Sequence, residues 1–195
     1  MPHSELPSEL PSEPLRTVFV SVASYRDAEC SQTLRSLFEN AAEPSRVHVG
    51  VCTQNAEGDD PCEYANGSVR YHRMHAEDAR GPAYARYWCA TLFAGEDFFL
   101  QIDSHTGFVP GWDRLLIDQH DALGREKAIL THYPPASAPD GTTTTVLCAG
   151  GFREADDGMP YFESAVVPRS DASRPTHMLA AGFWFAPGRV VADCP

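Results

Sequence analysis

An acid and an imidazole stand two positions apart in "LQIDSHTGF", residues 100–108. There the apolar run Phe98-Phe99-Leu100, with Ile102, gives way to Asp103-Ser104-His105. Side chains at i and i+2 of an extended segment share one face. A carboxylate oxygen and an imidazole nitrogen on that face suit a divalent ion such as Mn²⁺. Mg²⁺ suits the pair less well, because it prefers oxygen ligands throughout. Two protein ligands leave positions for water and phosphate oxygens, so the pair could hold a metal against a diphosphate as electrophile and charge neutraliser. Taken alone, a D-x-H is more readily a turn with a solvated histidine, since Asp and Ser are common turn formers.

Cations for a phosphate come next. Arg26 follows the first apolar run, and Arg80 and Arg86 flank Gly81-Pro82. Arginine donates to phosphate through two parallel N–H groups. A helix start opened by a glycine can also offer backbone N–H groups to a nucleotide. Each arginine by itself reads as surface charge. Three of them in loops at one sheet edge form a candidate anion site.

The elements that must position these residues follow from periodicity. "RTVFVSV", 16–22, reads as a core strand, and "RVHVGVC", 46–52, as a second with valine at alternate positions. Between them Asp27 is a plausible N-cap for a helix in which Leu34, Leu37, Phe38 and Ala41 form an apolar stripe stopped by Pro44. "VRYHRMH", 69–75, reads as a third strand. Pro82 then suits the first turn of a helix running to about Phe93 and closed by Gly95. "DFFLQID" is the fourth and most apolar strand. "GWDRLLIDQHDALG" is a helix closed by Gly124. "KAILTHYP", "TTTVLCAG" and "HMLAAGFWFAP" read as strands, with a glycine- and acid-rich loop before the last of them.

Alternating strands and helices predict an α/β fold: a mostly parallel sheet with helices on both faces. Ligands of such sheets bind beyond the carboxyl ends of the strands, at the topological switch point. "ASYRD" and "DSH" both lie at strand ends.

Composition narrows the class. The 195 residues suit one domain, with 43% hydrophobic and 10% aromatic residues, and the formal charge of −12 argues against a nucleic-acid or anionic-membrane partner. No apolar stretch has transmembrane length, and no secretory signal is apparent, so a cytoplasmic location is expected. "MPHSELPSELPSEP", residues 1–14, repeats Ser-Glu-Leu-Pro at proline density too high for regular structure and reads as a disordered tail before a domain over 15–195. The six cysteines include no C-x-x-C pair, which speaks against a zinc cluster, and they read as free buried thiols in a reducing compartment.

Long blocks of the chain resemble a known family. "VFVSVASYRDAECSQTLRSLFENA", "RVHVGVCTQN", "ARGPAYARYWCATLFAGEDFFLQIDSHTGFVPGWDRLLI" and "AILTHYP" are similar, in order, to the GlcNAc-transferases typified by a cytoplasmic enzyme that glycosylates hydroxyproline in a ubiquitin-ligase subunit. The likeness runs from about Val18 onwards, with a divergent stretch between Ala136 and Pro175. "GPAYAR…DSH" also resembles the sugar-nucleotide core of the polypeptide GalNAc-transferases.

The resemblance implies a GT-A type domain, with a Rossmann-like, mixed, mostly parallel sheet, that binds UDP-GlcNAc and transfers GlcNAc to a hydroxyl acceptor with retention. It implies a divalent metal, Mn²⁺ before Mg²⁺, held by Asp103 and His105. Ser24, Tyr25 and Arg26 would border the uridine. Arg80, Gly81 and Arg86 would border the nucleotide from the other side, and Asp103 and Ser104 would also bind the nucleotide sugar. Trp112 and Asp113 would lie on the sugar or acceptor side, or pack the helix start. The family's Gly-Glu-Glu segment and late histidine, which would complete the sugar and metal sites, have no counterpart after "AAGFWFAPG". The third metal ligand and any catalytic base are unassigned, and the chain reads as C-terminally truncated relative to the family. The alternative is a non-catalytic remnant that binds UDP or a protein partner. A D-x-H hydrolase would need a second acidic or histidine cluster at another strand end, and the sequence offers none.

Overall fold

A computed structural model describes residues 16–134, 142–152, 158, 160–170 and 172–193. The tail at 1–14 lies outside the described residues.

The first strand, β1 (Val18–Tyr25), is built from β-branched and aromatic residues whose side chains alternate between two faces. Val18, Val20 and Val22 face α1 (Cys30–Glu39), where they meet Leu34, Leu37 and Phe38 in the main core. β2 (Val47–Asn55) sends Val47, Val49 and Val51 into the same core. β3 (Val69–His75) forms the edge beside it. α2 (Pro82–Ala90) then crosses the opposite face, with Ala85 and Cys89 packed against Cys52 and Ala23. β4 (Phe98–Asp103) returns beside β1 and is buried along nearly its whole length. α3 (Trp112–Ala122) lies on the α1 face through Trp112 and Ile117.

The main sheet has six strands and begins, from one edge, with β3, β2, β1 and β4 in that order. Strands β3, β2, β1 and β4 are parallel; β8 (Phe183–Pro187) runs antiparallel to β4 and pairs with the two-residue β5 (Leu130–Thr131). The chain steps outward from β1 to β3 and then crosses back to the other side of β1. The switch point therefore lies between β1 and β4. Their register pairs Ala23 with Asp103, so the segments after both strands emerge together at the carboxyl edge. A short α4 (Val190–Asp193) follows β8.

The α/β class, the mostly parallel sheet and the helices on both faces are as the sequence led us to expect. Several boundaries differ. α2 stops at Ala90, and Phe93 instead packs edge-on against Phe19 and Phe99. "KAILTHYP" reduces to β5, with Tyr133 making an isolated bridge to Thr145. The glycine- and acid-rich stretch, read as loop throughout, contains β7 (Pro160–Pro168), which pairs with β6 (Thr143–Phe152) in a separate two-stranded sheet. The last strand covers only Phe183–Pro187 of "HMLAAGFWFAP".

The cysteines also differ from expectation. Cys52 and Cys89 are free and buried, but Cys30 and Cys62 form a disulfide that ties the start of α1 to the β2–β3 loop. Apolar surroundings suggested thiols because sequence alone does not reveal that the loop at Cys62 lands beside Cys30.

Candidate functional site

Four segments meet at the carboxyl edge of β1 and β4. β4 ends at Asp103, and residues 104 and 105 form a turn. The same-face rule for an extended segment therefore does not govern His105. The turn is held by other means. Thr33 of α1 donates its hydroxyl to the Ser104 carbonyl at 2.7 Å and accepts from the Thr106 N–H at 3.0 Å. The Thr106 hydroxyl donates back to the Asp103 carbonyl at 2.8 Å.

Asp27 fixes the turn's side chains. Its Oδ2 accepts the Ser104 hydroxyl at 2.5 Å and lies 2.9 Å from His105 Nδ1. Its Oδ1 accepts the Glu29 N–H at 2.9 Å. Asp27 is not the N-cap of α1 as expected; Glu29 occupies that position, and Asp27 shapes the turn that leads into it. Burial alone would push the Asp27 carboxyl up, but the bonds from Ser104, His105 and the Glu29 N–H hold it below the ordinary carboxylate value. The bond to Asp27 raises His105 above the ordinary imidazole value against its partial burial, and the charges of Asp27, Asp103 and Glu29 add to the rise.

Asp103 is positioned by two neighbours. Arg86 of α2 donates to its Oδ1 at 3.1 Å. Gly182, just before β8, lies close beneath the carboxylate: a Cβ there would stand 2.4 Å from Asp103 Oδ2. Arg86 Nε and the Ser24 hydroxyl are buried and make no hydrogen bond among the described residues. Such groups are normally satisfied by protein or ordered water.

The other candidates divide. Tyr25 is exposed at the end of β1. Arg26 has a left-handed backbone (φ 51°), and its guanidinium makes two hydrogen bonds to Asp59 in the β2–β3 loop. Arg80 is exposed and lies over the Tyr84 ring. Gly81 has φ 88° and opens α2 ahead of Pro82, so the glycine supplies a conformation other residues rarely adopt. The polar groups of Trp112 and Asp113 turn to the frame: Trp112 Nε1 donates to the Leu37 carbonyl at 2.9 Å, and the Asp113 carboxylate accepts the Ala42 and Glu43 N–H groups at 2.7 and 3.0 Å.

Two of these residues are suited to a divalent cation. The Asp103 side chain is 45% exposed and that of His105 60% exposed. With Nδ1 engaged by Asp27, the remaining donor of the His105 ring is Nε2, which makes no hydrogen bond among the described residues. No cluster of three or more His, Cys, Asp or Glu side chains able to hold a metal occurs among the described residues. Asp103 and His105 could thus offer a cation one oxygen and one nitrogen. Thr33, Asp27 and Gly182 escaped the sequence reading. Asp27 alone carried a signal, as a lone acid between two elements, and helix capping accounted for it.

Residues 17–67 and 63–195 match the profile of the family described as Glycosyltransferase (GlcNAc). The chain belongs to this family. Among solved structures, the GlcNAc glycosyltransferase chain is similar to S. aureus TarS 1–349, at 13% identity and a TM-score of 0.58, over 91% of this chain and 48% of that one. The structure of TarS 1–349 in complex with UDP-GlcNAc aligns at 12% identity and a TM-score of 0.56, over 91% and 47%. A mannosyltransferase of Pyrobaculum calidifontis, PcManGT in complex with GDP-Man and Mn²⁺, aligns at 13% identity and a TM-score of 0.48, over 65% and 40%. The chain spans less than half the length of each of these structures. No curated protein matches it. At such identities the likeness to TarS establishes the fold alone, a GT-A-like α/β fold. No helix among the described residues is long and apolar enough to cross a membrane.

Proposed function

We propose that the chain transfers GlcNAc from UDP-GlcNAc to a hydroxyl acceptor with retention of anomeric configuration, using a divalent metal held by Asp103 and His105. The observation that carries this reading is the convergence, at the β1/β4 switch point, of an Arg86-paired carboxylate and an Asp27-anchored imidazole. Membership of the GlcNAc glycosyltransferase family supports the sugar, and the TarS fold relative in complex with UDP-GlcNAc supports the nucleotide.

In this reading Asp103 and His105 would hold the metal, which would supply charge neutralisation for the diphosphate. Mn²⁺ is proposed over Mg²⁺ because one protein ligand is an imidazole nitrogen. Arg86, already at the edge, donates to the same developing negative charge. Ser24 and Tyr25 border the uridine, with Arg26, Arg80 and Gly81 around them. Trp112 and Asp113 act through the frame, since their polar groups are spent on the α1 end. No residue is assigned as base; retention is compatible with a leaving-phosphate oxygen accepting the acceptor's proton. Hydroxyproline in a protein is the proposed acceptor class.

Calorimetry with UDP-GlcNAc and Mn²⁺ tests the site. Metal-dependent binding that Asp103→Ala abolishes supports it; binding indifferent to Asp103→Ala sinks the metal assignment. Transfer to hydroxyproline peptides, with proline peptides as control, tests the reaction. Binding of UDP without transfer to any hydroxyl or to water points instead to a non-catalytic binder.

A further inference from the structure

Asp27 does more than shape a turn. One of its oxygens suffices for that, accepting the Glu29 N–H two residues on. The other reaches 77 and 78 residues along the chain, to Ser104 and His105. An ionised carboxylate only accepts, and the Ser104 hydroxyl already donates to the same oxygen. His105 Nδ1 must therefore carry its hydrogen and donate it. The neutral ring is then forced into the tautomer whose lone pair sits on Nε2, the nitrogen left without a hydrogen bond among the described residues.

We infer that Asp27 is the positioning residue of the metal site: through Nδ1 it fixes both the rotation and the tautomer of His105, so that Nε2 is presented as a ligand. The inference rests on the reading of Asp103 and His105 as cation ligands. A histidine that binds a metal through one nitrogen commonly donates the other N–H to a carboxylate, and loss of that partner typically costs 10- to 100-fold in affinity.

The isosteric variant Asp27→Asn makes a sharp test. The Glu29 N–H still demands an acceptor at the Oδ1 position, so the amide oxygen must sit there. The amide NH₂ then faces Ser104 and His105. A donor facing Nδ1 takes its lone pair and moves the ring hydrogen to Nε2, and the metal-binding nitrogen is lost. Shape is retained, and only the bonds to Ser104 and His105 reverse direction.

The experiment has two readouts on the full chain. Long-range ¹H–¹⁵N correlation, at a pH where the imidazole is neutral, reads the His105 tautomer, with His105→Ala supplying the assignment. Electron paramagnetic resonance of free Mn²⁺, with UDP present, reads cation affinity, with thermal melts to verify folding. The expected result is an Nδ1–H tautomer in the unsubstituted protein, an Nε2–H tautomer in Asp27→Asn, and about 10- to 100-fold weaker Mn²⁺ binding in that variant. An Nε2–H tautomer in the unsubstituted protein overturns the inference, whether or not the variant folds. So does Mn²⁺ affinity in folded Asp27→Asn within twofold of the original while His105→Ala abolishes binding; the metal site then stands without Asp27. If Asp103→Ala and His105→Ala both leave Mn²⁺ binding intact, the metal assignment itself has failed and the role of Asp27 falls with it.

Discussion

At the scale of single residues, the candidate site depends on small differences in space and charge. Gly182 is one. A methyl group there meets the tip of Asp103, a movable side chain, not backbone. Gly182→Ala should therefore leave the melting temperature nearly unchanged while displacing the carboxylate from Arg86 and weakening Mn²⁺–UDP binding. Calorimetry beside a thermal melt reads both effects. Glu96 is another, far from the site. Its side chain is 6% exposed, ion-paired with Arg70, and bonded to the Ala94 N–H. Burial would push the carboxyl up, yet the Ala94 N–H and Arg70 hold it below its ordinary value. A depressed carboxylate contributes stability above its unfolded value, about 4.3, and loses it as pH falls through the folded value. Glu96→Gln should cost about 1–3 kcal/mol near neutral pH, and the gap should close in acid denaturation series below about pH 4. The acid and the imidazole of the site were legible in the sequence because they interrupt an apolar run. Their anchors were not. Thr33 and Gly182 look like any helix threonine and any loop glycine until the fold sets them beside Asp103-Ser104-His105.

At the scale of elements, legibility followed burial. β1, β2 and β4 announce themselves because both of their faces are covered and their apolar runs are dense. β7 was missed for the opposite reason: Phe162 and Val166 are exposed, prolines bound it, and its ladder rests on β6 alone. β5 was overread because Ile129 and Tyr133, which extended the apolar pattern, are exposed outside the ladder. Packing between elements is close where β2 passes under Phe19. A Cβ at Gly50 would stand 2.4 Å from Phe19 Cζ and 3.2 Å from the Cys89 carbonyl. Phe19 is fully buried among aromatic neighbours and has little room to retreat. Gly50→Ala should destabilise the fold by about 1–3 kcal/mol, measured as a lower denaturant midpoint at unchanged slope.

At the scale of the molecule, stability is unevenly spread. The six-stranded sheet holds the buried core, and the β6–β7 ribbon carries exposed Phe152, Phe162 and Val166. Native-state hydrogen exchange should find the slowest amides in β1, β2 and β4 and much faster exchange along β6 and β7. Equal protection in both sheets would contradict this division. The disulfide adds a different kind of connection. Cys30 and Cys62, 32 residues apart in sequence, close a covalent ring that contains all of α1 and β2. A protease that cuts at the exposed Glu57-Gly58 turn cuts inside this ring. The nicked protein should therefore migrate as one species on a non-reducing gel and separate into two pieces only when a thiol is added.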